Sequence, residues 1–203
     1  MTEKYTDGAD WMPDDNVIMP YTQLSEDAQI MAQYNLRESL DYLQEQLKRA
    51  AECVTSAIVS RCSINESFMQ AKVLFDEFDR YNIPHVISSL TISIDQEDAI
   101  VDFLSQFRFL GVRNEIELKL VRSVTIRAIG GVCVAEVAVC AGLEDETIAE
   151  IQNILTGYAR KLDVIAQKIA EDFVLDSYYR ATIHAYLVER NVMCCEDGEI
   201  VDG

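Results

Sequence analysis

The architecture turns on residues 114–142, NEIELKLVRSVTIRAIGGVCVAEVAVCAG. Asn114, with Glu117 three positions on, has the form of a helix N-terminal capping arrangement. Against it, Ile116, Leu118 and Leu120 alternate with Glu117 and Lys119, and Val124, Ile126 and Ala128 alternate with Thr125 and Arg127. That is the two-residue period of a strand. Gly130-Gly131 stands where a two-residue hairpin turn belongs. The run that follows, VCVAEVAVCAGL, is apolar almost all round, as a buried central element is; with Glu136 inside it, it is too short to cross a bilayer. The helix reading is preferred here. A β-hairpin around Gly130-Gly131, and with it an α+β fold, is the rival.

Helical periods flank this stretch on both sides. Upstream, Leu36, Leu40, Leu43, Leu47, Ala50, Val54 and Ala57 step by four and three, with Arg37, Glu38, Asp41, Glu45, Lys48 and Arg49 outside the stripe. Ser25, followed by Glu26 and Asp27, makes an N-cap with acids in the first turn, so one helix is expected over residues 25–61. Downstream, Ile148, Ile151, Leu155, Tyr158, Leu162, Ile165 and Ile169 form the strongest stripe, continuing through Ile183 and Leu187 with a break near Asp176. Between the stripes, a helix is expected from Ser63 or Asn65 with Phe68, Phe75 and Phe78 on one face, ending before Pro84. Residues 85–94, HVISSLTISI, suit a short strand or a buried helical turn. Asp95 caps a helix to about Phe109, closed by Gly111. The fold predicted is an all-α bundle of five or six helices, with two long heptad-patterned helices whose Leu43 and Leu162 are buried.

In domain terms this gives an acidic extended arm over 1–22, a helical bundle over 23–191 and an acidic tail over 192–203. The chain has 203 residues, long enough to bury a core without disulfides or metals. Three Pro and eight Gly leave its elements little interrupted. Its formal charge is −18, from 35 acids against 17 bases. Residues 1–27 carry −6 of this and residues 189–203 carry −4. Direct nucleic-acid or anionic-membrane binding is therefore disfavoured, since both need Lys and Arg against phosphates. Six Cys without a basic–apolar leader point to thiols in a reducing, cytoplasmic setting; Cys194-Cys195 are expected to be exposed.

Chemical motifs are sparse. Ala138, Gly142 and Ile148 match the spacing of a DNA-reading helix-turn-helix, but Glu144, Asp145, Glu146 and Glu150 would then face phosphates, so a plain bundle corner is the better account. The acid clusters Asp76-Glu77-Asp79, Glu144-Asp145-Glu146, Glu171-Asp172-Asp176 and Glu196-Asp197-Glu199 lack the Glu-x-x-His pairs or the Asp/Gly loop of a di-iron or calcium site. No phosphate-cradling loop or catalytic signature occurs. No catalytic residue, cofactor or metal ligand is assigned.

A docking segment is assigned instead. Trp11 and Met12, framed by Asp10, Asp14 and Asp15, form an apolar anchor suited to a groove with a basic rim. The function expected is that of a non-catalytic helical assembly or adaptor protein. It would act through protein–protein interfaces, as a homo-oligomer or a subunit of a larger complex. The alternative is an acidic inhibitor that mimics nucleic acid and blocks a basic groove.

Overall fold

The computed structural model describes residues 17–109 and 115–201. In order, the elements are β1 (Ile18–Pro20), α1 (Glu26–Glu38), α2 (Leu40–Cys62), β2 (Met69–Phe78), β3 (Pro84–Ile94), α3 (Glu97–Leu104), α4 (Glu115–Leu118), β4 (Val121–Ile129), β5 (Val132–Val139), α5 (Asp145–Ser177), α6 (Arg180–Glu189) and β6 (Met193–Cys195). They divide into two compact units: Leu40–Tyr179 forms one, and the residues up to Ser39 join those from Arg180 onward in the other.

The larger unit is a four-stranded antiparallel meander, β2-β3-β4-β5, with α2 and α5 packed on one face. Alternation assigns the faces. Along β3, Val86, Ser88, Leu90, Ile92 and Ile94 point to the helices and are buried; along β4, Val124, Ile126 and Ala128 do the same. From the helix layer come Val54 and Ile58 of α2, Ile151, Leu155 and Leu162 of α5, and Ile100, Phe103 and Leu104 of α3. Phe103 and Phe107 pack on Tyr158 of α5, closing one end of this core.

The fold is therefore α+β, and the all-α helical bundle with coiled-coil stripes is corrected. The rival hairpin is the one that forms: Ile129 pairs with Val132 across Gly130 (φ +53°) and Gly131 (φ +87°). Two adjacent left-handed residues are what such a turn demands, and glycine adopts them at no steric cost. The helix expected from Ser63 or Asn65 to before Pro84 is instead a short 3-10 turn (Glu66–Phe68) followed by strand β2, and residues 85–94 fall in strand β3.

The stripes mislead for a physical reason. β2 and β5 carry apolar residues on both faces, so their two-residue period is masked. The upstream stripe also spans two helices, because Ser39 is extended (φ −71°, ψ 126°) and separates α1 from α2. Leu40, read as a core position, is 68% exposed. Leu43 and Leu162 are buried as expected. In α5, however, the core face runs through Ile151, Leu155, Ala159, Leu162, Ala166, Ala170 and Val174, and its small alanines allow close approach to the neighbouring layer.

Side chains of α5 finish the sheet where its hairpin stops. β4 begins to pair with β3 only at Ile129–Ser89, so the β4-facing backbone groups of Ser88 and Val86 have no strand partner. Gln167 supplies both bonds: its Oε1 accepts from Ser88 N–H (2.8 Å) and its Nε2 donates to the Val86 carbonyl (2.6 Å). One turn earlier, Asp163 Oδ2 accepts from Gly131 N–H at 3.0 Å. Buried backbone groups left open would each cost about 1–3 kcal/mol.

In the smaller unit β1 and β6 pair antiparallel, Ile18 with Cys195 and Pro20 with Met193. Ser25 caps α1 as expected, its hydroxyl accepting from Ala28 N–H at 3.3 Å. Gly198 (φ +92°) lies against α1, where a Cβ would collide with the Ala28 carbonyl oxygen. Cys194 and Cys195 are buried, not exposed, because both sit in the ladder with β1.

Candidate functional site

Both outer strands of the meander lack a second partner among the described residues, and the sheet face away from α2 and α5 is open. On that face Leu74, Ile87, Ile129, Val132 and Val134 gather at the β4–β5 turn. Leu74 is opposite Ile87, and Ile129 is opposite Val132. Val132 is 69% exposed and Val134 45%. Elsewhere the face carries Gln70, Thr91, Ser93, Thr125 and Ala138, with Arg127 paired to Glu136 at 3.3 Å.

β5 is the less protected of the two edges, because it carries fewer charges. Its eight residues, VCVAEVAV, contain no Pro, no Gly and one charge, Glu136. Its ladder with β4 is regular from Val132 to Ala138, the single shift lying at the far end between Val121 and Ser123. In a two-residue hairpin the closing pair, here Ile129–Val132, exchanges both hydrogen bonds. Alternation then directs the backbone groups of Val132, Val134 and Glu136 to β4, and those of Cys133, Ala135 and Val137 outward. Strands with open, flat, weakly charged edges are templates for another strand.

Other groups singled out in the sequence take structural places. Trp11, Met12, Asp10, Asp14 and Asp15 lie outside the described residues. Asp79 Oδ1 accepts from the backbone of Ile83 (2.9 Å) and Tyr81 (2.7 Å), which holds its carboxyl below the usual range and forms the β2–β3 turn. Glu144 stands at the N-cap position of α5 without a side-chain capping bond, and Asp145 and Glu146 lie in the first turn. Ala138 belongs to β5, so the helix-turn-helix spacing does not fall on two helices. Cys195, Asp197 and Glu199 bring one sulfur and two carboxylates within 4.8 Å. Burial, then Glu199 and Asp197, push the Cys195 thiol up, away from the thiolate a metal requires.

Reading every apolar residue of β5 as core misses its outer surface. The usable signal is that Val132, Val134 and Ala138 alternate with Cys133, Ala135 and Val137, so a strand there must show one apolar row to each side. Among the described residues no helix is long and apolar enough to cross a membrane. No protein-family model, curated protein or solved structure matches the chain.

Proposed function

We propose that this is a non-catalytic assembly protein that self-associates by strand pairing along β5. The observation that carries this reading is the regular, singly charged edge of that strand. A second copy of the chain fits it best, because a two-fold axis through Ala135 uses the edge completely. The outward backbone groups then meet in three hydrogen-bonded pairs: Cys133 with Val137, Ala135 with Ala135, and Val137 with Cys133. Faces are kept, since the residues opposite one another differ by an even number. Val132 meets Ala138 and Val134 meets Glu136, so no like charges stand opposite. The product is one eight-stranded sheet, with the helices of both copies on the same side.

Charge supplies the test. Two copies, each of formal charge −18, repel at long range while the pairing edge is almost neutral. Screening that repulsion should tighten self-association between about 50 and 200 mM salt. Sedimentation equilibrium over a range of protein concentrations reads this directly. A chain that stays monomeric at all concentrations overturns the reading. So does association that weakens steeply with salt, which would favour a basic partner on an acidic surface.

A further inference from the structure

A polar relay in the smaller unit has no part in strand pairing. Four side chains form it: Arg180 and His184 from α6, Gln33 from α1, and Tyr21 from the single turn ahead of α1. Arg180 Nε lies 3.1 Å from Gln33 Oε1, Gln33 Nε2 lies 2.6 Å from the Tyr21 hydroxyl, and that hydroxyl lies 2.8 Å from His184 Nδ1. Tyr21 is almost completely buried and Gln33 is buried, whereas Arg180 and His184 are exposed.

The direction of the first two bonds follows from one fact: a guanidinium can only donate. Gln33 must therefore turn its oxygen to Arg180 and its NH2 to Tyr21. The Tyr21 oxygen accepts that bond; among the described residues His184 Nδ1 is the one acceptor for the buried hydroxyl's own proton, and the arrangement that satisfies it makes Nδ1 the acceptor. In the neutral imidazole the remaining proton then sits on Nε2. No protein group among the described residues engages Nε2, and no carboxylate pairs with Arg180. Both residues line one cleft of about 620 Å³ with Glu26, Gln29, Gln33 and Ala181. The relay thus turns two buried polar groups into a device that presents only donors to that cleft.

We infer that the cleft binds a carboxylate, held by the Arg180 guanidinium and the His184 Nε2–H. The guanidinium fork matches the two oxygens of a carboxylate, and Nε of Arg180 is already held, which fixes the plane of the fork. Glu26 on the same wall opposes a doubly charged phosphate more than a singly charged carboxylate.

Acetate is the probe, followed in long-range proton–nitrogen spectra of the histidine rings in the full chain. His85, on β3, is the internal control. The expected result is an Nε2–H tautomer for His184 and a saturable shift of its ring with acetate at about millimolar concentration. Acetamide should give no such shift. Arg180→Gln, at an exposed position, should weaken acetate about ten-fold through loss of the fork. Tyr21→Phe should release the tautomer and weaken acetate as well. An Nδ1–H tautomer in the parent chain, equal shifts with acetamide, or unchanged acetate binding in Arg180→Gln would each overturn the site. Tighter binding of inorganic phosphate than of acetate would overturn the assignment to carboxylates.

Discussion

β2 and β5 both end the same sheet, yet the chain defends only one of them. β2 carries Lys72, Asp76 and Glu77, and its ladder with β3 shifts register between Phe75 and Phe78. Charges and a bulge are the usual devices against unwanted strand pairing. β5 has one charge, already matched by Arg127 on its own sheet, and no irregularity along Val132–Ala138. The difference extends to what holds each strand. β5 follows a turn that Asp163 anchors to α5, whereas Asp79 closes the turn after β2 with its own carboxylate. The turn before β5 is thus tied to the helix layer, and the regular register that follows it leaves an edge on which a second strand can align.

The largest effect expected is from Val134→Glu. In the proposed register the substitution sets a new carboxylate directly opposite Glu136 of the second copy, twice per dimer, while Arg127 beside it tolerates the change in the single chain. Self-association should weaken about 100-fold, since like charges brought together cost several kcal/mol. Sedimentation equilibrium measures this, and the thermal midpoint should hardly move. Val134→Lys gives the opposite test. Lysine generally guards an edge, but here it would face Glu136 and should leave association intact or tighter. If lysine breaks the dimer as glutamate does, the edge is used in another register.

Gln167→Ala asks how much the α5 side chain that completes the β3 edge contributes to the sheet. It strands the buried Ser88 N–H and the Val86 carbonyl, for a loss of about 2 kcal/mol in urea unfolding. A change within about half a kcal/mol would show that the clamp is dispensable. Gly131→Ala should cost about 1–2 kcal/mol, because its left-handed backbone disfavours a Cβ. The smallest effect belongs to β2: Asp76→Ala with Glu77→Ala should alter association by less than about two-fold, because the register shift still guards that edge. Strong new association in this variant would show that the charges, and not the bulge, are the defence.

Much of the fold was legible residue by residue, but its class was not. Ser25 announces the start of α1, and the break near Asp176 falls between α5 and α6. Gly130-Gly131 mark their hairpin, and the alternation of β4 is visible in Val124, Ile126 and Ala128. What hid the sheet was two-sided apolarity: Leu74 next to Val73, and Val132 and Val134 between Cys133 and Ala135. A strand whose outer face is also apolar loses the polar half of its pattern. The relay was not legible at all, because Gln33, Tyr21, His184 and Arg180 meet only after α1 and α6 pack, and nothing in the local sequence of any of them marks the others.

The pairing of β1 with β6 has a consequence for the order in which the chain is made. Residues 18–36 supply Tyr21, Leu24, Ala32 and Leu36 to a unit whose other half begins at Arg180. At about 5–20 residues per second, Arg180 follows Ser39 out of the synthetic machinery by roughly 7–30 s. Residues 40–179, with Tyr42 Oη donating to the Ser177 carbonyl at 2.6 Å to join their two ends, hold all the strands of the meander and can close during that interval. The first segment gains its β6 partner, and the seat of Gly198 against Ala28 and Ala32, only when residues 193–198 arrive. Nascent chains stalled between about residues 180 and 192 should thus hold one finished unit and one unfinished segment. That window is where a chaperone would find this protein.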